Sequence, residues 1–233
     1  MHDEITKHSK KIYESVKNQK QSFGEKLKDI LVEIFIIVFA VTLSIWLHSW
    51  SEQRHEKSEA RDFLVDLKGD LISDINSMQL SKQTLAQNLD SFVFVESLTR
   101  EKIDSLNKNK ISYGFHAVIG TTKINSGNYE GFKSSGKIGY IENKELKKDI
   151  LKYYQDESPS VLEVEKISAS QVLKITDFIA EYAGQDINSL FLTPKFKAMI
   201  ATFRSYADGN LKAYAEAIAL AEQIISEIDR HGA

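Results

Sequence analysis

Residues 131–138 read Gly-Phe-Lys-Ser-Ser-Gly-Lys-Ile. This is one residue short of G-x-x-x-x-G-K-[ST], in which backbone N–H groups cradle phosphates, the lysine reaches them and the final hydroxyl binds magnesium. That chemistry needs a buried apolar strand before the first glycine and a helix that starts at the lysine. Here the polar run Asn125-Ser126-Gly127-Asn128-Tyr129-Glu130 precedes, Ile138 stands where the hydroxyl is required, and Gly139 follows. No nucleotide is expected. The same octapeptide contains Ser134-x-x-Lys137, the spacing that sets a nucleophilic serine beside a lysine base in penicillin-recognising enzymes. Its companion elements are missing: Ser126-Gly127-Asn128 lies on the wrong side of the pair, and no K-[TS]-G occurs. The stretch fits a helix end instead. Tyr129 and Phe132 would pack one face, Gly136 would take the left-handed conformation of a C-cap, and Ile138 and Ile141 would return the chain to a core.

The remaining chemistry-bearing residues are sparse in pattern. Histidines stand at 2, 8, 48, 55, 116 and 231, with no H-x-x-x-H or H-E-x-x-H spacing. There is no cysteine, which excludes disulfides and thiolate-ligated zinc or iron–sulfur sites. Glu163 and Glu165 lie two apart on a helical segment, do not face each other, and read as solvated charge. A net charge of −3 provides no general basic field for nucleic acid. The expectation is a non-enzymatic chain with no catalytic residues, no cofactor and no metal.

Positioning any partner contact falls to an unusual N-terminal region. Up to Trp50 there are seven lysines against six acids, and from Ser51 onward 23 basic against 27 acidic residues. Between these regions Ile30 to Leu47 reads ILVEIFIIVFAVTLSIWL, with one charge, Glu33. At about 1.5 Å per helical residue, such a run reaches across a hydrocarbon core of about 30 Å. Trp46 and Trp50 fit an interfacial belt at one end, and Lys17, Lys20, Lys26 and Lys28 crowd the other, which puts the N-terminus in the cytoplasm. A cleaved signal would start nearer the N-terminus and end in small residues rather than WLHSW. A buried core helix would rarely be apolar on every face.

The expected organisation is a cytoplasmic tail or short helix at 1–29, a transmembrane helix at 30–50 and an extracytoplasmic domain at 51–233. Glu33 lies near the cytoplasmic end, where it can pair with Lys26 or Lys28 or serve a partner. Ala40 and Ser44 form a small-x-x-x-small pair that lets another helix approach.

Beyond the span, Phe63, Leu64, Leu67, Leu71, Ile75 and Met78 recur at helical spacing, and the pattern continues towards Leu98. Ser22 to Glu25 has the form of a capping box, and no proline precedes Pro159, so the membrane helix is expected to continue into a long stalk. Six of the eleven glycines fall between Asn107 and Tyr140, a window that also holds Tyr113-Gly114-Phe115-His116 and Val118-Ile119. It reads as an irregular connection with one short helix near Tyr129–Ser135. Asn143 should cap a helix reaching Tyr154, and Pro159 should break or kink it before a helix from Val161 to Tyr182. Thr193-Pro194 should open the next. The last should bury Leu211, Tyr214, Ile218, Ala221, Ile225 and Ile228, with Gly209 a joint. The fold class is all-α: a transmembrane helix continuing into an antiparallel helical bundle with an irregular Gly-rich connection.

Two blocks resemble a family of uncharacterised single-pass bacterial membrane proteins. In the first, Glu33-Ile34 through Trp50-Ser51-Glu52-Gln53-Arg54, followed by Leu64, Leu67, Asp70 and Leu71, is similar to that family's G-E-I, apolar span and N-N-W-N-E-x-R. In the second, Tyr129-Glu130-Gly131-Phe132-Lys133-Ser134-Ser135-Gly136-Lys137, then Ile141 and Leu146 to Tyr153-Tyr154, is similar to its Y-e-x-L-k-x-S-G and a helix ending in Y-Y. His48-Ser49 replaces the paired asparagines and Val32 the glycine. The resemblance implies an inner-membrane protein with a periplasmic helical domain and no assigned activity.

The functional expectation is an anchored accessory protein whose partners are the lipid bilayer and another protein or a second copy. Candidate contact residues are Glu33, Ala40 and Ser44 in the span and Tyr129, Phe132, Lys133 and Lys137 in the irregular segment. The alternative is a ligand-sensing module that signals through a partner.

Overall fold

The computed structural model describes residues 2–17, 23–111, 118, 120–182 and 186–231. Ser22 of the expected capping box, the aromatic group at 113–116 and Ile119 lie outside the described residues. The chain divides into two compact units, Met1–Ser58 and Glu59–Ala233. Among the described residues all regular structure is helical.

Two helices enter the first unit: α1 (His2–Lys17), and α2 (Phe23–Glu96), whose residues up to Ser58 belong there. With no proline inside it, α2 runs 74 residues without a break, as expected. It is long and apolar enough to cross a membrane, and none of its most apolar window is buried. Phe35, Phe39, Ile45 and Trp46 are all more than half exposed. Arg54 stacks over the Trp50 ring at 4.3 Å.

In the second unit the rest of α2 is joined by α3 (Arg100–Lys108), α4 (Gly127–Ser134), a 3₁₀ turn (Lys137–Tyr140), α5 (Lys144–Lys152), α6 (Ser158–Ala180), α7 (Ile187–Leu190) and α8 (Pro194–His231). Local signals set the boundaries. Thr99 caps α3, Asn143 accepts from Glu145 and Leu146 N–H at the start of α5, and Thr193 with Pro194 opens α8.

Three long segments build the core. Lys68 meets Asp229 at 2.5 Å, Phe92 meets Phe203 edge-on at 4.5 Å, and Glu96 meets Arg204 at 2.5 Å, so α2 and α8 run antiparallel. Ser168 meets Asn210 and Phe178 meets Phe196, so α6 also runs against α8. The inner face of α8 carries Phe196, Ile200, Phe203, Ala207, Tyr214 and Ile224, all buried. This seam recurs at three- and four-residue steps, the spacing that keeps one stripe facing its neighbours.

Two expectations need correction. Gly209 is not a joint: α8 passes through it, because the seam keeps the same phase on both sides. Leu211, Ile218 and Ile225 are only half-buried at the seam's edge. Pro159 does not break the chain either. The irregularity lies one turn earlier, a π-turn at Tyr153–Glu157 in which Ser158 N–H reaches back to Tyr153 O. The widened turn leaves the proline in the first turn of α6, where its missing N–H costs least.

The helix-end reading of 131–138 agrees with the structure. Ser135 N–H bonds to Gly131 O at 3.2 Å, Gly136 N–H to Lys133 O at 3.0 Å, and Gly136 has φ 77°. Gly136→Ala is therefore expected to cost about 1 kcal/mol, because an L side chain is disfavoured in the left-handed region. Gly139→Ala, where φ is not positive, is the matched control. Urea titration of the two variants checks the difference.

Candidate functional site

The inner face of α2 repeats every seven residues through Leu67, Asp74, Ser81, Asn88 and Val95, all buried although three are polar. Buried polar groups need partners, and these three find theirs in one place. From residue 118 on, the described residues between α3 and α5 return along α2 in the opposite direction. As residue numbers rise from 118 to 137, their partners on α2 fall from 88 to 59.

Its first part, described at 118 and 120–126, lies outside any helix, so its N–H and C=O groups lack a ladder and must be met by side chains. Asn88 supplies both sides of an amide: Val118 N–H donates to Oδ1 at 2.9 Å, and Nδ2 donates to Val118 O at 2.6 Å. Lys123 N–H donates to Ser77 Oγ at 2.8 Å, and Asn125 N–H to Asp74 Oδ1 at 2.8 Å. Gly120 crosses α2 where an added Cβ would stand 3.3 Å from Ser81 Cα, so a side chain there would crowd the helix and force a small shift.

Further along, Asn128 donates to Asp70 at 2.9 Å, Phe132 stacks on Phe63 at 4.0 Å, and Lys137 pairs with Glu59 at 2.6 Å. The two blocks that carry the family resemblance meet along this line.

Asp74 is the centre of the seam, with 0% of its surface exposed. Oδ1 also accepts from Asn125 Nδ2 at 2.8 Å, and Oδ2 accepts from Tyr153 OH at 3.0 Å. Burial pushes this carboxyl above its ordinary value, against the three hydrogen bonds that lower it. Burial likewise pushes the phenols of Tyr153 and Tyr154 up, so both stay protonated donors. Tyr154 donates to Asn125 O at 3.1 Å and stacks on Tyr129 at 4.3 Å. On an ordinary α-helix, adjacent residues point about 100° apart. The π-turn begins at Tyr153, and both tyrosines are interior.

Two turns of α2 away, beside Ser81, Glu165 of α6 accepts from Thr122 N–H at 2.9 Å and from the hydroxyls of Thr122 and Tyr214. Thr122 Oγ1 also lies 3.0 Å from Ser81 Oγ. Glu165 is therefore not the solvated charge the sequence suggests. Glu163, two residues before it, is exposed, but Glu165 faces the returning segment. A cavity of about 30 Å³, the scale of one or two waters, adjoins this cluster, and Asn210 Oδ1 on its wall has no hydrogen-bond partner among the described residues.

The expected contact residues separate into three groups. Glu33 is half-buried and meets His8 Nδ1 from α1, a partner not anticipated; the side chain of Lys26 lies outside the described residues. Ala40 and Ser44 are exposed on α2. Tyr129 and Phe132 point inward and are buried, because the returning segment uses them to pack against Tyr154 and Phe63. Lys133 lies 5.3 Å from the Tyr129 ring, and the Lys137 ammonium, its pKa raised by the Glu59 hydrogen bond, is held in the chain's own ion pair.

Ser134 Oγ donates to Gly131 O at 3.2 Å, so the Ser134–Lys137 spacing forms no nucleophile and base. Among the described residues, no three His, Asp or Glu side chains cluster as metal ligands do. What remains open outward is a groove of about 490 Å³ between α2 and α4, walled by Glu59, Asp62, Asp66 and Lys137 over Phe63 and Gly131.

Sequence reasoning missed the seam. The available signal was polar residues at 74, 81 and 88 in step with an apolar seven-residue repeat. Comparisons with protein-family models, curated proteins and solved structures find no match.

Proposed function

We propose that the chain is a single-pass protein of the bacterial inner membrane and a non-catalytic accessory component of a membrane assembly. The N-terminus lies in the cytoplasm and the second unit in the periplasm, and that unit binds another protein. The observation that carries this reading is the exposure of the apolar stretch of α2 from Leu31 to Trp50, in which only Glu33 and Ile37 are half-buried and none of the most apolar window is buried. A helix apolar on all sides that the protein itself does not cover needs a bilayer around it. Lysines before the stretch and tryptophans at its end set the direction. The groove between α2 and α4 is the proposed contact surface, in line with its acidic wall and apolar floor.

Paired reporter fusions test the topology: a periplasm-active enzyme at the C-terminus is expected to be active and a cytoplasm-active one silent, with the reverse at the N-terminus. The opposite pattern, or a full-length chain soluble without detergent, removes the proposal. Crosslinking in native membranes that recovers neither a partner nor a second copy removes the accessory role.

A further inference from the structure

The outward face of α2 in the second unit is not a typical solvated face. At about 100° per residue, Val65, Gly69, Ile72, Asn76 and Leu80 share a sector about 80° wide, directly opposite the inward sector of Phe63, Leu67, Leu71 and Met78. Val65 is 54%, Ile72 45% and Leu80 66% exposed, and among the described residues nothing beyond the adjoining backbone of α2 itself comes within 4 Å of a Cβ added at Gly69. Glycine inside a helix is unfavourable by about 1 kcal/mol relative to alanine, and nothing among the described residues fills the space it leaves.

The edges of the face are charged, with one sign on each. Arg61 and Lys68 border it on one side, Asp62 and Asp66 on the other. Lys68 also holds Asp229 at 2.5 Å while remaining at the surface.

From this pattern we infer that α2 pairs with α2 of a second copy, in parallel, through Val65, Gly69 and Ile72. In a parallel two-fold pair, the basic edge of each helix faces the acidic edge of the other, and Arg61 of one copy stands five residues before Asp66 of the other, the spacing of flanking ion pairs in parallel coiled coils. An antiparallel pair would set basic edge against basic edge and acidic against acidic. The charges thus select one direction, and Gly69 lets the backbones approach at the centre. The pairing agrees with the proposed anchoring, which would hold two copies side by side in the same sense. It rests on the second unit alone, so reporter fusions that overturned the topology would leave it standing.

The full-length chain in detergent micelles tests it, helped by the absence of native cysteine. Ile72→Cys is expected to give a disulfide-linked dimer on mild oxidation, while Leu173→Cys, 55% exposed on α6, does not. Arg61→Asp and Asp66→Arg are each expected to lower the dimer fraction roughly three- to tenfold, and the two together to restore it. Gly69→Gln should lower it as well without loss of helix, since glutamine is the better helix former. A monomer in sedimentation at every concentration, equal crosslinking through Leu173→Cys, or a charge swap that fails to restore dimer overturns the inference.

Discussion

Asp74→Leu is expected to destabilise the second unit by about 3–5 kcal/mol. The substitution strands the donors now aimed at the carboxylate: Asn125 N–H, Asn125 Nδ2 and Tyr153 OH. Each buried donor left without an acceptor costs about 1–3 kcal/mol, and Asn125 recovers part of this by turning its exposed amide to water. Asp74→Asn keeps an acceptor for Asn125 and lets the Tyr153 hydroxyl rotate, so its cost should stay near about 1 kcal/mol.

The pair of variants also reads the titration. Burial, with a smaller contribution from Asp70, holds the Asp74 carboxyl above 3.8, so the folded chain keeps this proton to higher pH than the unfolded chain. Its contribution to stability is fully present below 3.8 and is lost as pH rises through the raised native value. Asp74→Asn should remove that decline. Urea titrations across a pH series measure both effects, and a pH profile identical in Asp74→Asn and the parent chain contradicts the assignment.

Much of the helical framework is legible locally. Asn143, Thr193-Pro194 and Gly136 act on backbone groups within a few residues, and each does what its type predicts. The inward stripes of α2 and α8 follow from apolar spacing. The returning segment is different in kind. It is ordered by side chains 30 to 78 residues away, among them Asn88, Asp74 and Glu59, so its own glycines and asparagines read as a loop. Glu165 is invisible for the same reason, since nothing next to it in the chain distinguishes it from Glu163. For Tyr129 and Phe132 the sequence supports both a packing and a contact role, and both are buried. Their neighbours Phe63 and Tyr154, which decide between those roles, come from other elements.

The second large effect concerns the proposed anchor. Val38→Arg with Val41→Arg should release the chain from the membrane, because each arginine near the centre of an inserted helix costs about 2.5–3.5 kcal/mol on insertion scales. Both positions are exposed on α2, so the folded second unit loses no packing. The fraction retained in membranes after an alkaline wash is the measurement: nearly all of the parent chain and little of the double variant. Equal retention would mean that the apolar stretch is not what holds the protein there. Glu33→Gln, by contrast, leaves retention unchanged, since the carboxylate lies one turn from the expected cytoplasmic end.

Both tryptophans, Trp46 and Trp50, belong to the first unit, whereas Tyr129, Tyr153, Tyr154 and Tyr214 are interior to the second. Indole emission therefore senses the surroundings of the apolar stretch and is silent when the helices beyond it melt, while phenol emission, to which only Tyr13 contributes from the first unit, responds mainly in the opposite way. The chain carries two native optical channels, so lipid transfer and unfolding can be followed separately in a single sample without an added label.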